Sequence, residues 1–382
     1  MPPTLSHELA DCWRLARADG VGPITWRRLL ARFGSAAAAL DPLPRLARAG
    51  GRPTPPSIPT APDARREIER LAKLGAQLLV LDEPGYPPLL AMLGDAPPVI
   101  AVQGNIDALQ GPAVAVVGGR NASANGQRMA ENLAAELARS LVVVSGLARG
   151  IDAAAHTGAL STGRTVAVIA GGLDVPYPPK HAVLQRRIAE GGAVIAEAPL
   201  GTTAQARHFP RRNRIIAGLS LGVVVVEAAL RSGSLITARL AQDAGREVFA
   251  VPGSPLDPRA RGTNDLLRQG AVVTETAADV LDNLPQPPTF PSTPDAPLEQ
   301  AAGLSQPWAD PPEAPADLSR VRSQVVDLLG PSPTPIDDLV RRCQFSAAAV
   351  MVVLLELELA GRVETLSGNR VALLTNEAHW TE

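Results

Sequence analysis

Apolar positions in the first eighty residues recur at helical spacing. Residues 9–18 and 24–33 place their apolar side chains three and four apart, and the turn Asp19-Gly20-Val21-Gly22-Pro23 separates them. A loop rich in Pro, Thr and Ser follows at 52–62, and a further helix is expected at about 64–75. From about Tyr86 the pattern changes. Short β-branched runs at 113–117, 142–144, 165–169, 194–196, 223–226 and 247–250 alternate with helical stretches such as 126–139, 181–191 and 235–244. The runs are almost continuously apolar, as strands covered on both faces are. Such alternation predicts a parallel sheet with right-handed crossovers. Residues 285–315 are dense in proline and read as an extended linker. The last block reads as three helices (319–329, 336–343, 346–360) and a hairpin pairing 362–366 with 370–374, the order of a winged helix.

The expected architecture is therefore α/β: a Rossmann-like parallel sheet (86–284) between an N-terminal helical domain (1–85) and a winged-helix-like domain (317–382), with a linker at 285–316. Bulk charge adds little. The net charge is −2, so a polyanion site must come from local clustering. Cys12 and Cys343 are too far apart in sequence to suggest a ligand pair or a disulfide framework, which suits a reducing cytoplasm. The N-terminus carries acidic residues without a long apolar run, so no secretory signal is expected. Nowhere do about 18 apolar residues run together, so no membrane partner is expected either.

Ligands of open parallel sheets sit beyond the carboxyl ends of the strands. Here those ends carry small-residue turns: Gly118-Gly119-Arg120, Ser145-Gly146 with Arg149, Gly171-Gly172 leading to Lys180, and Arg231-Ser232-Gly233-Ser234. Such turns let backbone amides and helix N-termini approach an anion. Tight βα turns need small residues in any case, but several of them beside Arg120, Arg149, Lys180 and Arg231 favour phosphate. Residues 207–214 hold four arginines, and 198–226 contain no Asp or Glu. Arginine forks match phosphate oxygens. A solvated helix face, or arginines paired with distant acids, is the plainer alternative.

Catalytic chemistry finds little support. No ligand-spaced metal set, P-loop or nucleophile elbow is present, so no metal and no cofactor is expected. Asp152 and His156 lie four apart, more in keeping with a buried or capping pair than with acid–base work.

FPRRNRIIAGLS, VVEAALRSGSLITA and GREVFAVPG, in that order, with SGLARGID, YPPKH and AEAPLG, resemble the core of the DNA processing protein A (DprA/Smf) family. The resemblance implies a non-catalytic protein that binds single-stranded DNA, protects incoming DNA and loads RecA recombinase in natural transformation. It also implies a sterile-alpha-motif or helix-hairpin-helix type domain before the sheet and a winged helix after it. By position, the DNA-binding residues would be Gly118, Gly119, Arg120, Ser145, Gly146, Arg149, Lys180, Arg211, Arg212, Asn213, Ser232, Gly233 and Ser234. Arg120, Lys180 and Arg212 are the foremost phosphate contacts, and Phe209 is a possible base-stacking ring. Gly119 stands where the family usually has Ser, which concerns one side-chain contact and not the turn. The family dimerises through the late part of this domain, which points to Asn264, Leu266 and Leu267 in a homodimer. A nucleotide N-glycosidic-bond-cleaving phosphoribohydrolase or a nucleotide sensor are the alternatives, although PGGxGT is absent.

In the flanks, Trp13 and Trp26 are expected in the core, and the Gly20 turn is expected as a plain helix connection. The third C-terminal helix carries Glu356 and Glu358 and no Lys or Arg. Groove readers need basic or amide side chains, so a protein-contact or auxiliary role is expected for the winged helix.

Overall fold

The computed structural model describes residues 7–286, 318–366 and 368–374, so nearly all of the expected linker lies outside the described residues. The chain divides into two compact units, Met1–Arg66 with Asp295–Glu382, and Glu67–Pro294.

The first unit begins with α1 (His7–Ala16), α2 (Pro23–Phe33), α3 (Ala36–Leu40) and α4 (Leu43–Ala49). Pro23 starts α2, where its missing N–H costs nothing. Gly34 ends it at φ 77°, donating its N–H to the Leu30 carbonyl. Trp13 and Trp26 are buried, as expected. Helix α5 (Ala61–Lys73) carries the chain into the second unit.

The second unit contains β1 (Ala76–Val80), α6 (Pro88–Ala91), β2 (Val99–Gly104), β3 (Ala113–Val117), α7 (Ala124–Leu137), β4 (Val142–Ser145), α8 (Ile151–Thr162) and β5 (Thr165–Ile169). It continues with α9 (Ala182–Gly191), β6 (Ala193–Ala196), α10 (His208–Gly218), β7 (Gly222–Val225), α11 (Gly233–Asp243), β8 (Glu247–Ala250), α12 (Arg261–Arg268), β9 (Val272–Val273) and α13 (Ala277–Leu281). The nine strands lie in the order β1-β2-β6-β5-β4-β3-β7-β8-β9. From β6 to β9 every pair is parallel, whereas β1 and β2 run antiparallel at one edge. The six expected strands all fall in the parallel part, and β3 to β7 are buried throughout.

Strand β1 corrects the first domain boundary. It pairs with β2 from Ala76↔Gln103 to Val80↔Val99, so the sheet starts ahead of residue 86. The topology also fixes where a ligand can sit. From β3 the chain steps outward through β4, β5 and β6, then returns to lay β7 beside β3 before stepping out through β8 and β9. The turns after β3 and β7 therefore diverge, opening a crevice at the switch point.

Helix α8 packs on α7 and the sheet through small residues. A Cβ on Gly158 would lie 2.0 Å from the Glu131 carbonyl oxygen of α7, so the two backbones are in direct contact. The C-terminal domain follows with α14 (Leu318–Leu328), β10 (Thr334–Pro335), α15 (Ile336–Arg342), α16 (Ala347–Leu359), β11 (Val363–Leu366) and β12 (Arg370–Leu373), with the strands ordered β10-β12-β11. Val321, Leu339, Val353, Leu354, Leu357 and Val371 form its core. This is the expected winged helix.

Gly158→Ala is expected to destabilise the sheet domain by ~1–3 kcal/mol through overpacking, lowering its Tm by ~2–4 °C per kcal/mol. Gly94→Ala, where a Cβ meets nothing within 4 Å, should leave the Tm unchanged; calorimetry of both variants checks this.

Candidate nucleic-acid interface

The arginine cluster forms a helix, α10, and helical phase sorts its members. Arg207 and Arg211, one turn apart, are exposed. Arg214 is buried, donating to the Glu197 carboxylate at 2.6 Å and to the Asp95 carbonyl. Arg211 lies 4.0 Å from the same Glu197. The acid-free stretch thus takes its partners from the residue just before it and from a distant loop, so Arg214 is structural.

Arg212 is 5% exposed. Its guanidinium occupies a slot that only glycine leaves open, because a Cβ on Gly146 would lie 1.7 Å from its Nη1. Nη1 donates to the Val168 carbonyl at 2.8 Å. Burial lowers the Arg212 pKa to about 10, opposed by the Asp152 charge and assisted by Arg120. Burial likewise raises Asp152 above the usual carboxylate range, against the pull of Arg212 and of the Ala148 amide. Above this pair lies Phe209. The Arg120 guanidinium stands 4.5 Å from its ring centroid and that of Arg212 5.9 Å. The exposed Tyr177 ring meets Phe209 at 5.6 Å, tilted by 60°. Two cations and two rings thus meet at one place.

The surrounding cleft has a volume of about 800 Å³ and runs between the turns after β3 and β7. Gly118, Gly119, Arg120, Arg212, Asn213, Ser232, Gly233 and Ser234 line it, as does Arg231. Asn213 donates to the Gly233 carbonyl at 3.3 Å, joining α10 to the start of α11. Other expected residues stand apart. Ser145 is buried and donates to the Val116 carbonyl at 2.6 Å, so its hydroxyl holds β4 to β3. Gly146 serves the site from beneath by making room for Arg212. Arg149, Lys180 and Arg211 are exposed and are not among the lining residues. The geometry therefore brings Arg120 and Arg212 together and leaves Lys180 outside the cleft.

Helix N-termini contribute less than the turns suggested. The Glu227 carboxylate accepts from the Ser123 N–H at 2.9 Å and from its hydroxyl at 2.5 Å. Gly126 is required beside it, since a Cβ there would lie 2.4 Å from the carboxylate carbon. The positive end of α7 is thus filled from within. Asp152 accepts the Ala148 N–H at 3.3 Å before α8. The start of α11 reaches the cleft through Ser232, Gly233 and Ser234, with the Ser232 hydroxyl accepting from the Ser234 amide at 3.4 Å. Arg259, missed by sequence reasoning, also lines the cleft while pairing with Asp257 at 2.8 Å. Its one available signal was its position just past the carboxyl end of β8.

Behind the cleft, His156 is fully buried and its Nδ1 lies 2.8 Å from Thr165 Oγ1. Thr165 spends its own proton on the Val143 carbonyl. It must therefore accept from His156, which fixes the Nδ1–H tautomer and leaves Nε2 as an unprotonated nitrogen without a partner. Asp152 and His156 are not bonded to each other; each serves a different part of the fold. Among the described residues no group of side chains could hold a metal ion, and no helix is long and apolar enough to cross a membrane.

Fold and cleft together define a Rossmann-type protein with an arginine-lined switch point, carrying a helical and a winged-helix domain. The chain belongs to the DNA recombination-mediator protein A (DprA) family, whose model matches residues 77–285. Models of a DprA-like N-terminal HHH domain and a DprA winged helix domain match residues 6–69 and 309–369. The chain is 40% identical over 299 residues to Protein Smf of Escherichia coli (strain K12), covering 78% of this chain and 77% of the relative. It is 48% identical over 197 residues to DNA processing protein DprA of Streptococcus pneumoniae, covering 51% and 70% of the two chains. The X-ray structure of DNA processing protein A from Streptococcus pneumoniae superposes with a TM-score of 0.61 at 37% identity, over 72% of this chain and 96% of that one.

Burial lowers the His156 pKa from 6.5 to about 3, reinforced by Arg212 and His181. A depressed folded pKa gives stability that is fully present above pH 6.5 and lost as pH falls toward 3. In that window the unfolded chain binds one more proton, a slope of ~1.4 kcal/mol per pH unit. His156→Gln should remove that slope from the pH dependence of urea unfolding, and a slope that persists in the variant would refute the assignment.

Proposed function

We propose that this chain is a non-catalytic, cytoplasmic protein that binds single-stranded DNA, protects incoming DNA and loads RecA recombinase in transformation and recombination. The observation that carries the binding is the meeting of Arg120, Phe209 and Arg212 where the strand order reverses, with Arg231 and the first residues of α11 beside them. Guanidinium groups suit phosphate oxygens, and a ring flanked by cations offers a sequence-independent surface for an unstacked base. A duplex keeps its bases inside and cannot use that surface. Phosphates seated among arginines are also screened from nucleases, which is the physical content of protection. The family and its relatives named for DNA processing support the biological setting.

The two carboxylates lining the cleft favour binding over bond cleavage. Glu227 is spent on capping α7, and Asp152 is held beside Arg212. Neither is placed to shuttle a proton. For the homodimer, Asn264 exchanges hydrogen bonds with the Gly253 backbone and Leu266 is buried in its own fold. Leu267, with Val273 exposed on the terminal strand β9, remains to meet a partner. Two clefts on one strand would raise affinity through avidity.

Arg120 is the decisive test, because it is exposed and forms no part of the core. Arg120→Ala should leave the Tm unchanged, weaken binding to a single-stranded oligomer and lower the slope of log K against log salt by about one unit. Affinity of the unaltered chain should rise with oligomer length and exceed that for duplex. An unchanged slope in folded Arg120→Ala, or affinity that saturates at a mononucleotide, would remove the proposal.

A further inference from the structure

Helix α16 occupies the position of a winged helix's groove-reading helix, yet it lacks the face such a helix needs. Its sequence, AAAVMVVLLELEL, is apolar all round, and helices of that kind are buried on all sides. Val350, Val353, Leu354 and Leu357 fill the core of its own domain. Leu355 and Leu359, one turn apart, are equally buried but lie outside that core. Glu356 is 4% exposed and accepts from Arg322 of α14 at 2.6 Å. Something covers this second face, and within the first unit it is the N-terminal helices. Arg28 of α2 donates to Glu358 at 3.4 Å and to Thr365 at 3.1 Å. Burial lowers the pKa of Arg32, a turn further on, against the opposing pull of the Glu356 charge. The contact reaches the backbone: a Cβ on Gly50 would lie 1.9 Å from the Glu356 carbonyl oxygen, and one on Gly20 3.1 Å from that of Leu359.

We infer that the winged-helix domain is a docking module for the chain's own N-terminal helical domain, with α16 the docking helix and the Arg28–Glu358 pair its specificity element. Three features converge on this: an apolar second face, acidic residues meeting basic ones on α2, and glycines at the points of closest approach. The helix-hairpin-helix-like turn at Gly20 and the groove-reading helix, the two elements that would bind DNA in these domains, thus face one another. The unit is assembled from the two ends of the chain, so a groove of DNA cannot occupy α16 while it is closed.

Burial of the pair supplies the test. Hydrogen exchange of the full chain, read by mass spectrometry, should show at least tenfold faster exchange in both α4 and the second half of α16 in Arg28→Glu and in Glu358→Arg, with the sheet domain unchanged as a folding control. The doubly exchanged variant, Arg28→Glu with Glu358→Arg, should recover most of that protection. Glu358→Gln, which keeps the shape, should loosen the same two helices by a smaller factor. A saturating duplex oligomer should leave α16 exchange in the unaltered chain unchanged. Single variants that alter α16 without α4, a double variant no slower than the singles, or protection of α16 by duplex would each overturn the inference.

Discussion

A guanidinium inside a protein is costly unless it is held on all sides, and the second unit is arranged around one. Arg212 needs the bare backbone of Gly146 for space, the Val168 carbonyl as acceptor and Asp152 for compensating charge. These come from the ends of two strands and the first turn of a helix, so seating Arg212 requires β4, β5 and the start of α8 to be in register. Asp152 in turn is offset by the Arg212 charge and by the Ala148 amide it accepts from. Phe209 rests above that foundation, and Arg120 rests on Phe209. The exposed part of the cleft is thus held rigid from below.

Much of the fold was legible because parallel strands buried on both faces are short apolar runs, and all six expected runs are strands. What escaped has physical reasons. Strand β1 lies at an antiparallel edge, without a hairpin turn to announce its pairing with β2. The arginine run of α10 forms a helix, one of the alternatives its sequence left open. Its sorting into exposed, structural and cleft-lining members depends on a phase that only the fold supplies.

The site was legible by residue type and less so by role. The Gly118-Gly119 turn, Arg120, Arg212 and the Ser232-Gly233-Ser234 turn do line one cleft, whereas the glycines after β4 and β5 do not. Glu227, just past β7, caps a helix whose first residues lie over a hundred positions earlier. Such long-range closures leave no trace in local pattern. Lys180 and Arg149 show the converse: a basic residue beside a strand end points into the cleft only if its loop turns that way.

The Gly119 N–H donates to the Glu227 carbonyl at 2.6 Å, and the side chain of Glu227 grips Ser123. One residue therefore stitches the turn after β3 to the turn after β7, from both its backbone and its carboxylate. The two lips of the crevice are tied together at this residue. Under the proposed function, a strand would meet a channel whose two walls are already joined, and the conformational adjustment of binding would fall on the strand instead of the protein.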